Sequence, residues 1–118
     1  MNMIPCEKNS AGLEVTGSPL FIPKSIGGKT DNLEGSIELG IRPEFVDTSI
    51  KELPDWNRFE IRSLDPAGAY QIRTLESGSI RIKSRVEDHF VSKKGDPVWV
   101  NFPTDKTNLY ANGKLVTP

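Results

Sequence analysis

The sequence predicts an all-β chain folded as a small closed or nearly closed barrel. Three observations carry that expectation. Short stretches alternate apolar and polar residues with a period of two, most cleanly in Ile80-Arg81-Ile82-Lys83-Ser84-Arg85-Val86, the pattern of a half-buried strand. Turn signals separate such stretches at spacings of about ten residues, as in small barrels. Nine prolines and ten glycines are spread along the chain, leaving few windows long enough for a helix.

The 118 residues fit one domain, large enough to bury a core without disulfides or metal. A formal charge of −1, with acids and bases interspersed, argues against a dedicated nucleic-acid binder, which carries a basic excess. Cys6 is the only cysteine. That excludes a disulfide framework or a cysteine zinc site within one chain and suits a reducing cytoplasm. The start, Met1 to Lys8, lacks the basic end and long apolar centre of a signal peptide. No run approaches the roughly 18 apolar residues of a membrane span.

Taken in order, Met3-Ile4-Pro5-Cys6 reads as an edge-type strand, because Pro5 would spoil a central ladder. Asn9 to Gly12 turns into a short strand, Leu13 to Val15, and Gly17-Ser18-Pro19 turns again before Leu20 to Ile22. Gly27-Gly28-Lys29-Thr30 imitates a phosphate loop. However, the first glycine that motif requires would fall on Pro23, and no helix can follow Thr30, so it reads as a loop.

Ile37-Glu38-Leu39-Gly40-Ile41 alternates as a strand and stops at Pro43, which has no N–H and forces Arg42 towards extended geometry. Gly40 removes a side chain where another backbone may pass closely or a bulge may form. Arg42 and Glu44 flank the proline with opposite charges on a stiff corner. Thr48 to Glu52 is compatible with a short helical turn. From Trp56 the pattern has period two: Phe59 and Ile61 share one face, and Trp56, Arg58, Glu60 and Arg62 the other. Asp65 to Gly68 turns into the answering strand, Ala69 to Leu75. Glu76 to Ser79 leads to Ile80–Val86, whose Arg81, Lys83 and Arg85 point outward. Glu87 to Ser92 fits a helical turn. Lys93 to Asp96 then turns into Pro97–Phe102, and a last hairpin runs through Ala111-Asn112-Gly113.

Chemistry-bearing residues are few. His89 is the only histidine, and its neighbours Glu87 and Asp88 are too close in sequence to converge with it on one metal ion. A serine triad has no supporting motif. The row Arg81, Lys83, Arg85 could track a phosphate backbone with Trp56, Tyr70 or Trp99 as stacking platforms, but flanking acids favour a solvated face. Trp99 lies opposite Val98, Val100 and Phe102, and Trp56 sits on the charged face of its strand. Large aromatics on polar faces mark contact with another layer, domain or subunit.

Gly40-Ile41-Arg42-Pro43-Glu44, then Lys94-Gly95-Asp96-Pro97-Val98-Trp99-Val100-Asn101-Phe102 and Asn108-Leu109-Tyr110-Ala111-Asn112-Gly113, in that order and spacing, resemble a known region. It is the C-terminal transport-associated OB (TOBE) region of ABC importer ATPases of the maltose, glycerol-phosphate and glycerol uptake type. Met1-Asn2-Met3-Ile4-Pro5 is similar to the join at which the nucleotide-binding domain of those proteins ends. The likeness spans the whole chain. It departs at Arg62 to Gly68, which replaces the family's Val-Glu-x-Leu-Gly turn.

The resemblance implies an OB-fold-like, TOBE/MOP-like fold of two interleaved lobes. The middle, roughly 20–55, would form one lobe, and 1–15 plus 56–118 the other. It implies a regulatory and dimerisation module, excised or separately encoded, that is not an enzyme. ATP and Mg would bind a missing domain, and the fragment itself would take no cofactor. Expected partners are its own ATPase domain, a second copy, permease subunits indirectly and a regulatory protein, with no nucleic acid. The expected location is cytoplasmic, at the inner face of the cell membrane through the parent transporter. Gly40, Arg42, Pro43, Glu44, Gly95 and Asp96 are the family-motif residues, with structural or interface roles, and Trp56 and Trp99 are interface candidates. No catalytic or metal residue is expected. The alternative is an independent OB module that binds an oligonucleotide or a small anion.

Overall fold

The computed structural model describes residues 1–9, 12–17, 20, 22, 36–87 and 92–116. Alternation along the chain becomes two five-stranded antiparallel sheets. The elements are β1 (Asn2–Asn9), β2 (Gly12–Val15), β3 (Ile37–Ile41), a 3-10 turn (Pro43–Phe45), β4 (Asp47–Ser49) and β5 (Asn57–Pro66), followed by β6 (Tyr70–Ser77), β7 (Ile80–Glu87), β8 (Pro97–Asn101), β9 (Asn108–Ala111) and β10 (Lys114–Leu115). The first sheet has the order β10-β9-β3-β1-β2, and the second β4-β8-β5-β6-β7. The sheets therefore divide the chain into its two ends and the continuous segment 47–101.

Inward positions of both sheets share one core. Ile4, Leu39 and Ile41 of the first sheet join Phe59, Ile61, Leu75, Ile82 and Val100 of the second in a single apolar cluster. The outward partners Arg58, Glu60, Arg81, Lys83 and Arg85 are exposed, as a period of two requires. The curled sheets make an all-β, OB/TOBE-like architecture.

Pro5 does not mark an edge. β1 runs centrally between β2 and β3, with Pro5 opposite Glu38. The Pro5 carbonyl accepts from Thr16 N–H at 3.0 Å. In an antiparallel strand the N–H and C=O of one residue point to the same side. The missing donor of Pro5 therefore faces Thr16, just past the end of β2, and the proline forfeits only that terminal rung. The helical turn expected at Thr48 to Glu52 is also absent. Asp47–Ser49 pairs with β8 instead, and Ser49 Oγ closes the following bend by donating to Lys51 C=O at 2.8 Å. The last hairpin forms as expected. Asn112 and Gly113 both have positive φ, 52° and 79°, the geometry of a two-residue turn that follows strand twist. Of the strand expected at Leu20 to Ile22, Leu20 and Ile22 are buried but neither lies in a strand; Phe21, the loop at Gly27 to Thr30 and most of the turn at Glu87 to Ser92 lie outside the described residues.

β7 is an edge strand of the second sheet, and the first sheet's chain covers it. The Asn2 side-chain amide donates to Lys83 C=O at 2.7 Å and accepts from Lys83 N–H at 2.8 Å. One side chain thus supplies the rung a further strand would have made. At the strand's start, Ser79 N–H donates to Gly17 C=O at 3.2 Å. An open edge invites pairing with other chains, and such covers prevent it. Asn2→Ala should lower stability by about 1–2 kcal/mol, measured by urea unfolding. Hydrogen exchange at the Lys83 amide should accelerate more than at Ile82.

Candidate functional site

The corner is built by its proline. Arg42 is extended, with φ −74° and ψ 145°, as a residue before proline prefers. Pro43 opens the 3-10 turn, and Phe45 N–H donates to Arg42 C=O at 3.0 Å. Arg42 and Glu44 are exposed, and no ion pair joins them. Phe45 instead lies beneath the Lys106 ammonium, 4.7 Å from its ring centroid. The corner is therefore held by backbone geometry and a cation–π contact, and its charges face solvent.

Gly40 answers to a different strand. It pairs with Met3 on one side and Asn108 on the other. A Cβ there would stand 2.5 Å from the Tyr110 ring, closer than any real Cβ contact. The glycine permits the Tyr110 ring to cross the outer face of the sheet. Gly95 and Asp96 form a second joint. Gly95, at φ 91°, takes a conformation that favours glycine, and its N–H donates to Ile61 C=O at 2.8 Å. Asp96 C=O accepts from Ile61 N–H at 3.0 Å, while its carboxylate accepts from Lys93 N–H at 2.9 Å. The pair thus seats the start of β8 against β5 beside the irregularity at Ile61/Ser63.

Trp56 and Trp99 are both half-buried. Trp99 faces outward on β8 between Ser49 and Arg58, and Trp56 immediately precedes β5. Arg58, Glu60 and Glu76, with Phe59, Ser77 and Gly78, line a shallow cleft of about 240 Å³ on the second sheet. Ion pairs lie in and beside it: Arg58 with Glu60 at 3.7 Å, Arg62 with Glu76 at 3.9 Å and Arg81 with Glu76 at 2.7 Å. Such exposed pairs each contribute about 0–1 kcal/mol. Arg85 stacks over Tyr70, 3.9 Å from its centroid.

Sequence reasoning passed over Arg73. It points into the second sheet's core, 4 % exposed, opposite the fully buried Ser84. Its guanidinium donates to Gln71 Oε1 at 3.1 Å and Ser92 Oγ at 3.3 Å. Burial lowers its pKa, and the nearby Asp96 charge opposes that shift. An arginine breaking the inward parity of β6 was the available signal. The Asn2 clip had no signal, because its partner is a backbone 81 residues away. His89 lies outside the described residues. Among the described residues no three His, Cys, Asp or Glu side chains converge to hold a metal ion, and no helix is long and apolar enough to cross a membrane.

Solved structures resemble this chain, one of them over nearly its whole length. That one is the cytoplasmic molybdate-binding protein ModG, in a form with molybdate bound. The TM-score is 0.70 at 13 % identity, covering 93 % of this chain and 95 % of that one. The fold is of the OB/TOBE type. No model of a known protein family matches the chain, and no curated protein matches it.

Gly40→Ala should cost about 1–3 kcal/mol by forcing the Tyr110 ring aside. Urea unfolding should show part of that loss recovered in Gly40→Ala with Tyr110→Ala. Cys6 is buried, and desolvation, the largest cause, pushes its thiol from the ordinary value of 9.0 to about 11. Below pH 9 both folded and unfolded thiols are protonated and the group confers no pH dependence. Between about pH 9 and 11 the unfolded thiol ionises first, so stability falls as pH rises. Unfolding free energies measured across that range should lose this component in Cys6→Ala.

Proposed function

We infer that this chain is the C-terminal regulatory and dimerisation module of the ATPase subunit of a bacterial ABC importer for a sugar or polyol, glycerol included. It has no ATPase activity of its own. The observation that carries this reading is the partnership of motifs far apart in sequence. Gly40 of the Gly-Ile-Arg-Pro-Glu corner pairs with Asn108 and lies under Tyr110 of the Asn-Leu-Tyr segment. Gly95-Asp96 seats the strand that carries Trp99. Residues that resemble the TOBE region in order and spacing thus also depend on one another in space. Arg42-Pro43-Glu44 then acts as the joint between sheets, and Trp56 and Trp99 contribute to the contact with a second copy. The ATPase domain, the permease subunits and a regulatory protein complete the assembly at the inner face of the membrane.

The likeness to ModG favours a second reading, a module that binds a small anion. Against it, Arg58, Arg62 and Arg81 are all engaged with Glu60 or Glu76, which offsets two of their three charges and weakens their pull on an oxyanion.

Sedimentation equilibrium separates the readings. The chain should self-associate at micromolar concentration, and Trp99→Ala should weaken that association about ten-fold or more, as loss of an interface aromatic does. Unchanged association would remove Trp99 from the interface. Calorimetric titration with molybdate should give no saturable heat, and with a single-stranded oligonucleotide at low salt no salt-sensitive binding. Saturable molybdate binding would replace the regulatory reading with the second one.

A further inference from the structure

The hollow at Gly40 gathers a particular chemistry. Measured from the point a Cβ would occupy, Met1 Sδ lies at 3.0 Å and Met3 Sδ at 3.2 Å, beside the Tyr110 ring at 2.5 Å. Strand register produces the convergence. Met3 sits directly opposite Gly40, and Tyr110 lies on β9 two residues beyond Asn108, the other cross-strand partner of Gly40. Residues two apart on a strand project to the same face. The Tyr110 hydroxyl donates to Met1 Sδ at 3.6 Å, which ties that sulfur to the hydroxyl end of the ring. Both methionines remain open to solvent, at 58 % and 39 % exposure.

We propose that Met1, Met3 and Tyr110, gathered over Gly40, form a binding site for a soft monovalent cation, Cu(I) or Ag(I). Thioether sulfur is a soft ligand that selects Cu(I) over hard dications. Two neutral sulfurs and a neutral ring suit a single positive charge better than a double one. Glu38, directly opposite Tyr110 in the ladder, adds a negative field on the same face. The site is independent of the transporter reading. The chain's single thiol, Cys6, projects to the other face of β1 and is buried.

The test is a titration with silver nitrate in chloride-free buffer, followed by NMR of methyl-labelled methionine. Met1 and Met3 are the only methionines, so two methyl signals report on the two proposed ligands. Both should shift together and saturate at one silver ion per chain. Met3→Leu, which conserves volume and so preserves folding, should bind at least ten-fold more weakly, whereas Cys6→Ala should bind as the parent does. The proposal is overturned if neither methyl moves or only one does. It is equally overturned if silver uptake persists in Met3→Leu and vanishes in Cys6→Ala.

Discussion

The architecture depends on the chain changing sheets at Arg42. β3 cannot continue through Pro43, which lacks a donor and holds its predecessor extended. Three residues of 3-10 turn then redirect the backbone, and from Asp47 onward every strand up to Asn101 belongs to the second sheet. The first sheet is completed only when the chain returns at Asn108 to pair with β3. Strands at the two ends of the sequence are thus neighbours because one proline excludes the local alternative. The long loop closures this entails carry an entropic cost that the shared core must offset.

That return explains why the motif residues act structurally. Gly40 is required by a ring that arrives some seventy residues later, and Gly95 by a carbonyl in β5. Neither supplies a side chain: Gly40 allows a close approach, and Gly95 takes a positive φ that lets its N–H reach that carbonyl. The charged members, Arg42 and Glu44, are left in solvent without pairing, where they are available to another surface. On the second sheet, Glu60 and Glu76 offset part of the charge of Arg58, Arg62 and Arg81. A chain near neutrality exerts little long-range electrostatic steering.

The two sheets behave as one body through specific ties as well as apolar burial. Asn2 closes the β7 edge, Gly17 holds the hairpin before it, and core residues from both sheets form one cluster. Arg73, tied to Gln71 and Ser92 within that interior, sits where an aliphatic residue would have continued the pattern. A desolvated guanidinium persists in a core only when its hydrogen bonds are met, and this one is fastened to the segment leading into Gly95 and Asp96.

Alternation by itself determined the all-β class, the inward face of β5 and β7, and the final hairpin, because side-chain period and turn conformation are local properties of the chain. The stop at Pro43 was equally legible, since its causes lie within two residues. Only the tertiary structure decided that Pro5 stands inside a sheet, because that depends on where β2 ends. It likewise decided that Thr48 belongs to a strand, because its partner is Val100 on β8. The roles of Gly40, Asn2 and Arg73 were hidden for the same physical reason. Each is defined by a group distant in sequence, and no periodicity records which distant groups will meet.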